Sequence, residues 1–246
     1  MTNKCLNCDN EIVEKYCSNC SQATSTHRIS FPYFFKHDFI HGIFHFDKGF
    51  LYTLKELFTR PGHSIRDYVQ GKRVKHFNYF TMIILLLTIS YFLKKWSQID
   101  ITKLVADKEQ VIGFMKVTKD YSKYVIFLHI PILALISFLL FRNSQQNYTE
   151  NLVINLYLQC GLTCISSLLY LSAIFTNNIQ FLIFISEILL TLGIIYIIIF
   201  YYQYYSAFSY NKLGLLIRSF IFALFYIVIK SQINQLVNFI GLRFFQ

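Results

Sequence analysis

Four cysteines near the start of the chain, Cys5, Cys8, Cys17 and Cys20, form two Cys-x-x-Cys pairs separated by eight residues. Each pair wraps a tight turn, and the residues between them can fold into a small ribbon that brings both pairs around one tetrahedral ion. Thiolate at all four positions suits Zn2+ and leaves no ligand position open for water, so the expected site is a structural zinc ribbon. An electron-transfer iron site and a redox thiol pair fit the arrangement less well. Two further cysteines, Cys160 and Cys164, share one face of an apolar helix, where they serve as small packing residues more readily than as a disulfide.

The other residues with chemical potential are more scattered. His37, His41 and His45 recur every four positions, which would stack three imidazoles on one helix face about 6 Å apart per step. That face has two readings: a second metal or pH-sensing site, or the polar flank of an interfacial helix. His129 and Glu187 are ionisable residues within apolar segments, where charge is expensive and so points to function. Asn151, Asn155, Gln159 and Thr163 add a polar stripe spaced by four, which must face protein or water in a bilayer. His41, His45 and Asp47 are the best available cluster for catalysis, but no nucleophile with a matching base accompanies them.

These residues need elements to position them, and composition sets the class. With 54% hydrophobic, 18% aromatic and only 15% charged residues, the chain of 246 residues is too apolar for an ordinary soluble domain. Five segments approach the roughly 20 residues a spanning helix needs: 77–93, 124–141, 152–175, 179–202 and 213–229. The expected organisation is a zinc ribbon over 1–27, an amphipathic juxtamembrane linker over 28–76 and a helical membrane domain over 77–246. The fold class is thus an all-α polytopic membrane protein of about five transmembrane helices, with interfacial amphipathic helices. Two of these are expected on the far surface, one within 94–123 and one in the tail around Ile233, Leu236, Val237 and Ile240.

Residues 1–76 hold 11 Lys/Arg against 7 Asp/Glu, within a formal net charge of +10. Arg60, Arg66, Lys72, Arg73 and Lys75 crowd the approach to the first span, an arrangement suited to anionic lipid head groups and to a cytoplasmic amino-terminus. The same crowding argues against nucleic acid as the partner, because no independent basic domain forms. No apolar run of signal-peptide length opens the chain, which again keeps the ribbon in the cytoplasm.

Several short motifs carry a family likeness. They are Tyr16-Cys17-x-Asn19-Cys20-x-Gln22, Asp47-Lys48-Gly49-Phe50, Arg60-Pro61-Gly62, Gly71-Lys72-Arg73 and Tyr148-Thr149-Glu150. With them the chain resembles bacterial membrane proteins grouped as domain of unknown function 3667, a family with an amino-terminal zinc ribbon and no assigned activity. Ser21 stands where that family usually has glycine, and Asn151 where it has histidine. The resemblance implies a bacterial inner-membrane location and supplies no reaction. The functional expectation is an assembly, adaptor or regulatory module whose ribbon docks a cytoplasmic protein. The alternative is a transporter of an ion, lipid or small molecule using a polar cavity, with a membrane-embedded enzyme behind both.

Overall fold

The computed structural model describes residues 4–26, 28–34, 49–97, 99 and 109–244. Among the described residues, besides two single turns at Phe31–Tyr33 and Arg142–Ser144, seven helices follow one another: α1 (Gly49–Thr59), α2 (Pro61–Val69), α3 (Tyr79–Ser97), α4 (Glu109–Leu140), α5 (Tyr148–Phe175), α6 (Ile179–Tyr205) and α7 (Lys212–Phe244). Among the described residues there are no strands, only two isolated antiparallel bridges in the cysteine-bearing head.

Local sequence explains the helix boundaries. Pro61 opens α2 at a position whose backbone N–H would have no helical partner. Asn147 and Glu150 form a reciprocal capping box on α5, each side chain accepting from the other's backbone N–H. Asn178 caps α6 by accepting from the Phe181 N–H at 3.2 Å. Lys94 and Lys95 lie in the last turn of α3, where positive charge complements the helix dipole.

Helices α3, α5, α6 and α7 are long and apolar enough to cross a membrane. The second expected span, 124–141, lies in α4, a helix of 32 residues that runs well past it at its amino-terminal side. The amphipathic segments expected at the far surface are not separate elements. From Glu109 onward the first is continuous with α4, and the tail is continuous with α7, because Val117 and Val125 pack against Ile233 and Val237 and extend both helices together.

The long helices run alternately up and down. α4 and α7 are antiparallel: Arg218 near the start of α7 donates to the Leu140 carbonyl, while Gly113 and Gly241 cross in backbone contact at the other end. α5 is the central helix, packed against α3, α4 and α6 as well as the short α1 and α2. The head, α1 and α2 all sit at the end where α5 begins, here termed the ribbon end. The fully buried core lies toward that end and is strongly aromatic, including Tyr79, Tyr157, Tyr201, Tyr205, Phe141 and Phe222.

Candidate metal centre and its dock on the bundle

The two Cys-x-x-Cys turns repeat one backbone pattern. Cys5 N–H donates to Asn10 O and Asp9 N–H to Cys5 O; in the second turn Cys17 N–H donates to Gln22 O and Ser21 N–H to Cys17 O. Lys4 bridges Glu11, and Tyr16 bridges Ala23, closing each turn at its base. The residue after each second cysteine takes a left-handed conformation, with φ of 59° at Asp9 and 60° at Ser21. That geometry explains why glycine suits the position held by Ser21.

All four sulfurs lie within 4.8 Å of one another. Cys5 and Cys20 are 3.6 Å apart, and Cys8 and Cys17 3.5 Å. A metal–sulfur bond of about 2.3 Å sets tetrahedral sulfur–sulfur edges of about 3.8 Å, so one metal ion fits this cluster. Backbone N–H groups of Cys20 and Asn19 lower the Cys17 thiol to about 6 despite opposing burial, whereas burial raises Cys20 to about 11. Cys17 is therefore the readiest of the two to present a thiolate to an arriving cation.

The head is tied to the bundle at two places. Gln22 accepts from the Arg73 backbone N–H at 3.1 Å, and Leu6 covers Gly71, whose φ of 107° and close contact leave no room for a side chain. Beyond the head, Arg28 grips Glu150 with two nitrogens at 2.7 and 2.9 Å and also donates to the Gln145 carbonyl. Asn147 donates to the Ile29 carbonyl at 2.9 Å. Glu150, only 2% exposed, thus serves at once in a helix cap and in an ion pair.

The basic residues of the linker are largely engaged within the molecule. Arg66 donates to the carbonyls of Gln203 and Tyr204, satisfying the carboxyl end of α6. Arg60 pairs with Glu56 at 2.6 Å and Lys72 with Asp67 at 3.2 Å. Arg73 lies over the Tyr68 ring at 5.3 Å. Lys75 is exposed. Close by, His76 meets Ser64 Oγ at 2.9 Å through Nε2 and sits edge-on to Tyr52 and Tyr68. Burial lowers its pKa, opposed by the Lys72 backbone and by Asp67 and Glu56.

The polar stripe on α5 is a ladder of hydrogen bonds between helices. Tyr205 donates to Asn151 and Tyr201 to Asn155, both at 3.1 Å, while Tyr226 reaches Gln159 at 3.4 Å. Asn155 also donates to Ser137 on α4 at 3.1 Å. The stripe was legible in the sequence, but its tyrosine partners were not; the matching signal is the spacing of Tyr201 and Tyr205 by four. His129 binds the Val125 carbonyl at 2.6 Å in its own helix, and Glu187 is exposed on α6, so the two make no ion pair. His37, His41 and His45 lie outside the described residues.

Fold and site together define a helical protein with spanning-length helices and a metal-competent cysteine head. Residues 47–91 match a family model described as protein of unknown function (DUF3667), which supports the family resemblance. No curated protein and no solved structure matches the chain. The matched segment covers α1, α2, the turn over which Leu6 lies and most of α3. Its Arg60-Pro61-Gly62 and Gly71-Lys72-Arg73 motifs serve architecture here: a side chain on Gly62 would collide with the Phe200 carbonyl, and Gly71 receives the head.

Proposed function

We propose that the chain is an integral protein of the bacterial inner membrane that acts as an assembly, adaptor or regulatory module. Its head holds Zn2+ on Cys5, Cys8, Cys17 and Cys20, faces the cytoplasm and docks a protein partner. One observation carries this reading. The loop between the cysteine pairs turns apolar side chains outward, Val13 at 93% exposure and Tyr16 at 63%, although the opposite side of the head is fixed to the bundle. An apolar tip on a rigid mount suits recognition of another protein. The polar ladder supports packing over transport, since Asn151, Asn155 and Gln159 are bonded to neighbouring helices and do not line the cavity between α5, α6 and α7.

Affinity capture of the detergent-solubilised chain tests the reading with two variants. Cys17→Ser should lose zinc and partner together, while Val13→Asp should keep zinc and lose the partner. A partner retained by Val13→Asp would remove the docking role from the tip, and full zinc content in Cys17→Ser would remove the metal assignment.

A further inference from the structure

α5, α6 and α7 converge at the ribbon end and part at the other. Where they converge, Tyr201 packs on Phe222 with ring centroids 4.0 Å apart, and Tyr205 stacks on Phe141 at the same distance. Toward the far end the facing side chains shrink to Ser166 on α5 and to Ser186 and Gly193 on α6, which leaves a cavity of about 860 Å³. A Cβ on Gly193 would meet only Leu162 Cδ2, at 3.6 Å, so the wall there is open. That volume falls within the range of small-ligand sites, about 300–1,000 Å³.

The cavity has two chemically distinct sides. Leu189, Ile194 and Ile197 make an apolar wall along α6, and Ile165 faces it from α5. On α7 the lining is Lys230, Ser231 and Asn234. Packing against α4 does not account for these polar groups, because α7 meets α4 through Ile233 and Val237. Lys230 has its ammonium 5.9 Å from the Tyr226 ring, and among the described residues it makes no ion pair. A lysine placed in a spanning helix and facing a cavity calls for an anion.

We propose that this cavity binds an anionic lipid, its phosphate-bearing head at Lys230, Ser231 and Asn234 and an acyl chain along Ile165, Leu189, Ile194 and Ile197. Charge complementarity selects the head, since the phosphate of a zwitterionic lipid is balanced by its own cation, whereas that of an anionic lipid leaves a net charge for Lys230 to meet. The apolar wall selects the tail: Leu189 to Ile197 runs about 12 Å along α6, surface that a soluble anion would leave bare. The exposed Leu190, Ile227 and Phe239 at the rim open the cavity sideways, the direction from which a lipid would enter. The assignment rests on the reading that the long helices span a bilayer.

The test uses the full chain, with insertion scored separately by resistance to alkaline extraction. Purified protein is mixed with phosphatidylglycerol or phosphatidylcholine, and retained lipid is counted by native mass spectrometry. One phosphatidylglycerol per chain should be held in preference to phosphatidylcholine. Lys230→Gln should lower that retention about tenfold and Lys230→Arg restore it. Gly193→Leu, which fills the cavity from a position with room, should abolish retention while the chain still inserts. Equal retention of both lipids, or retention unchanged in Lys230→Gln, would overturn the proposal. Displacement by soluble glycerol phosphate would overturn the lipid and leave a site for a free anion. A chain washed out by alkali would instead refute the spanning reading.

Discussion

The two ends of the bundle are held by different physics. At the ribbon end, directional interactions over-determine the structure: a capping box, the Arg28–Glu150 pair, arginines on the ends of α4 and α6, and tyrosine–asparagine bonds between helices. At the far end α5, α6 and α7 leave space, and among the described residues the glycine crossing of α4 and α7 is the tight contact. In lipid, helices gain little from burying apolar surface against one another, so hydrogen bonds and close packing decide which faces meet. The ribbon end therefore fixes the architecture, and the far end is free to accept something else.

That contrast can be broken most severely at Glu150. Glu150→Gln removes the charged, buried partner of a half-exposed Arg28 and weakens the α5 cap, at a cost of about 2 kcal/mol. The expected outcome is a loosened head, seen as protease cleavage between residues 26 and 34 while bound metal is retained. The same substitution at the two ends sharpens the contrast. Gly62→Ala drives a Cβ into the Phe200 carbonyl oxygen and should destabilise by about 2 kcal/mol, whereas Gly193→Ala meets ordinary contact and should be neutral or stabilising by up to about 1 kcal/mol. Thermal unfolding in one detergent compares the pair directly.

Acid should loosen the ribbon end selectively. Burial lowers the His76 pKa from its usual 6.5, so the unfolded state binds the proton more readily. The stability due to neutral His76 is complete above about pH 6.5 and declines as pH falls from there toward the lowered folded value. His76→Gln should flatten that part of the pH dependence of the unfolding midpoint; an unchanged slope would assign it elsewhere. The smallest effect is expected at Ser21, where φ of 60° favours glycine. Ser21→Gly should slow metal loss to a chelator, corresponding to about 0.5 kcal/mol of added stability.

The cysteine cluster was fully legible in the sequence because its spacing is a local property of two tight turns. The long apolar helices were legible too, although continuity was not: nothing local marks where α4 and α7 emerge from an apolar environment when each supports the other. Partners were the hidden part. Asn151 and Asn155 announced a polar face, yet Tyr205 and Tyr201 lie 54 and 46 residues away along the chain. Arg66 read as a lipid contact because its spacing carries charge and says nothing of the α6 carbonyls it meets. Glu187 read as an intramembrane polar site from its place in an apolar segment, and that place does not fix the direction a side chain takes around its helix.

The Arg28–Glu150 tie also has a meaning in time. The residues are 122 positions apart, so at ordinary rates of synthesis Arg28 is made on the order of ten seconds before its partner exists. The cysteine turns need only their first two dozen residues and can close on metal during that interval. The head can meanwhile settle on the turn before α3 through Gln22–Arg73 and Leu6–Gly71, and the Arg28–Glu150 clasp is added only when the start of α5 has been made. That second clasp is a late event in biogenesis, and a closed Arg28–Glu150 pair is a sign that α5 has been started.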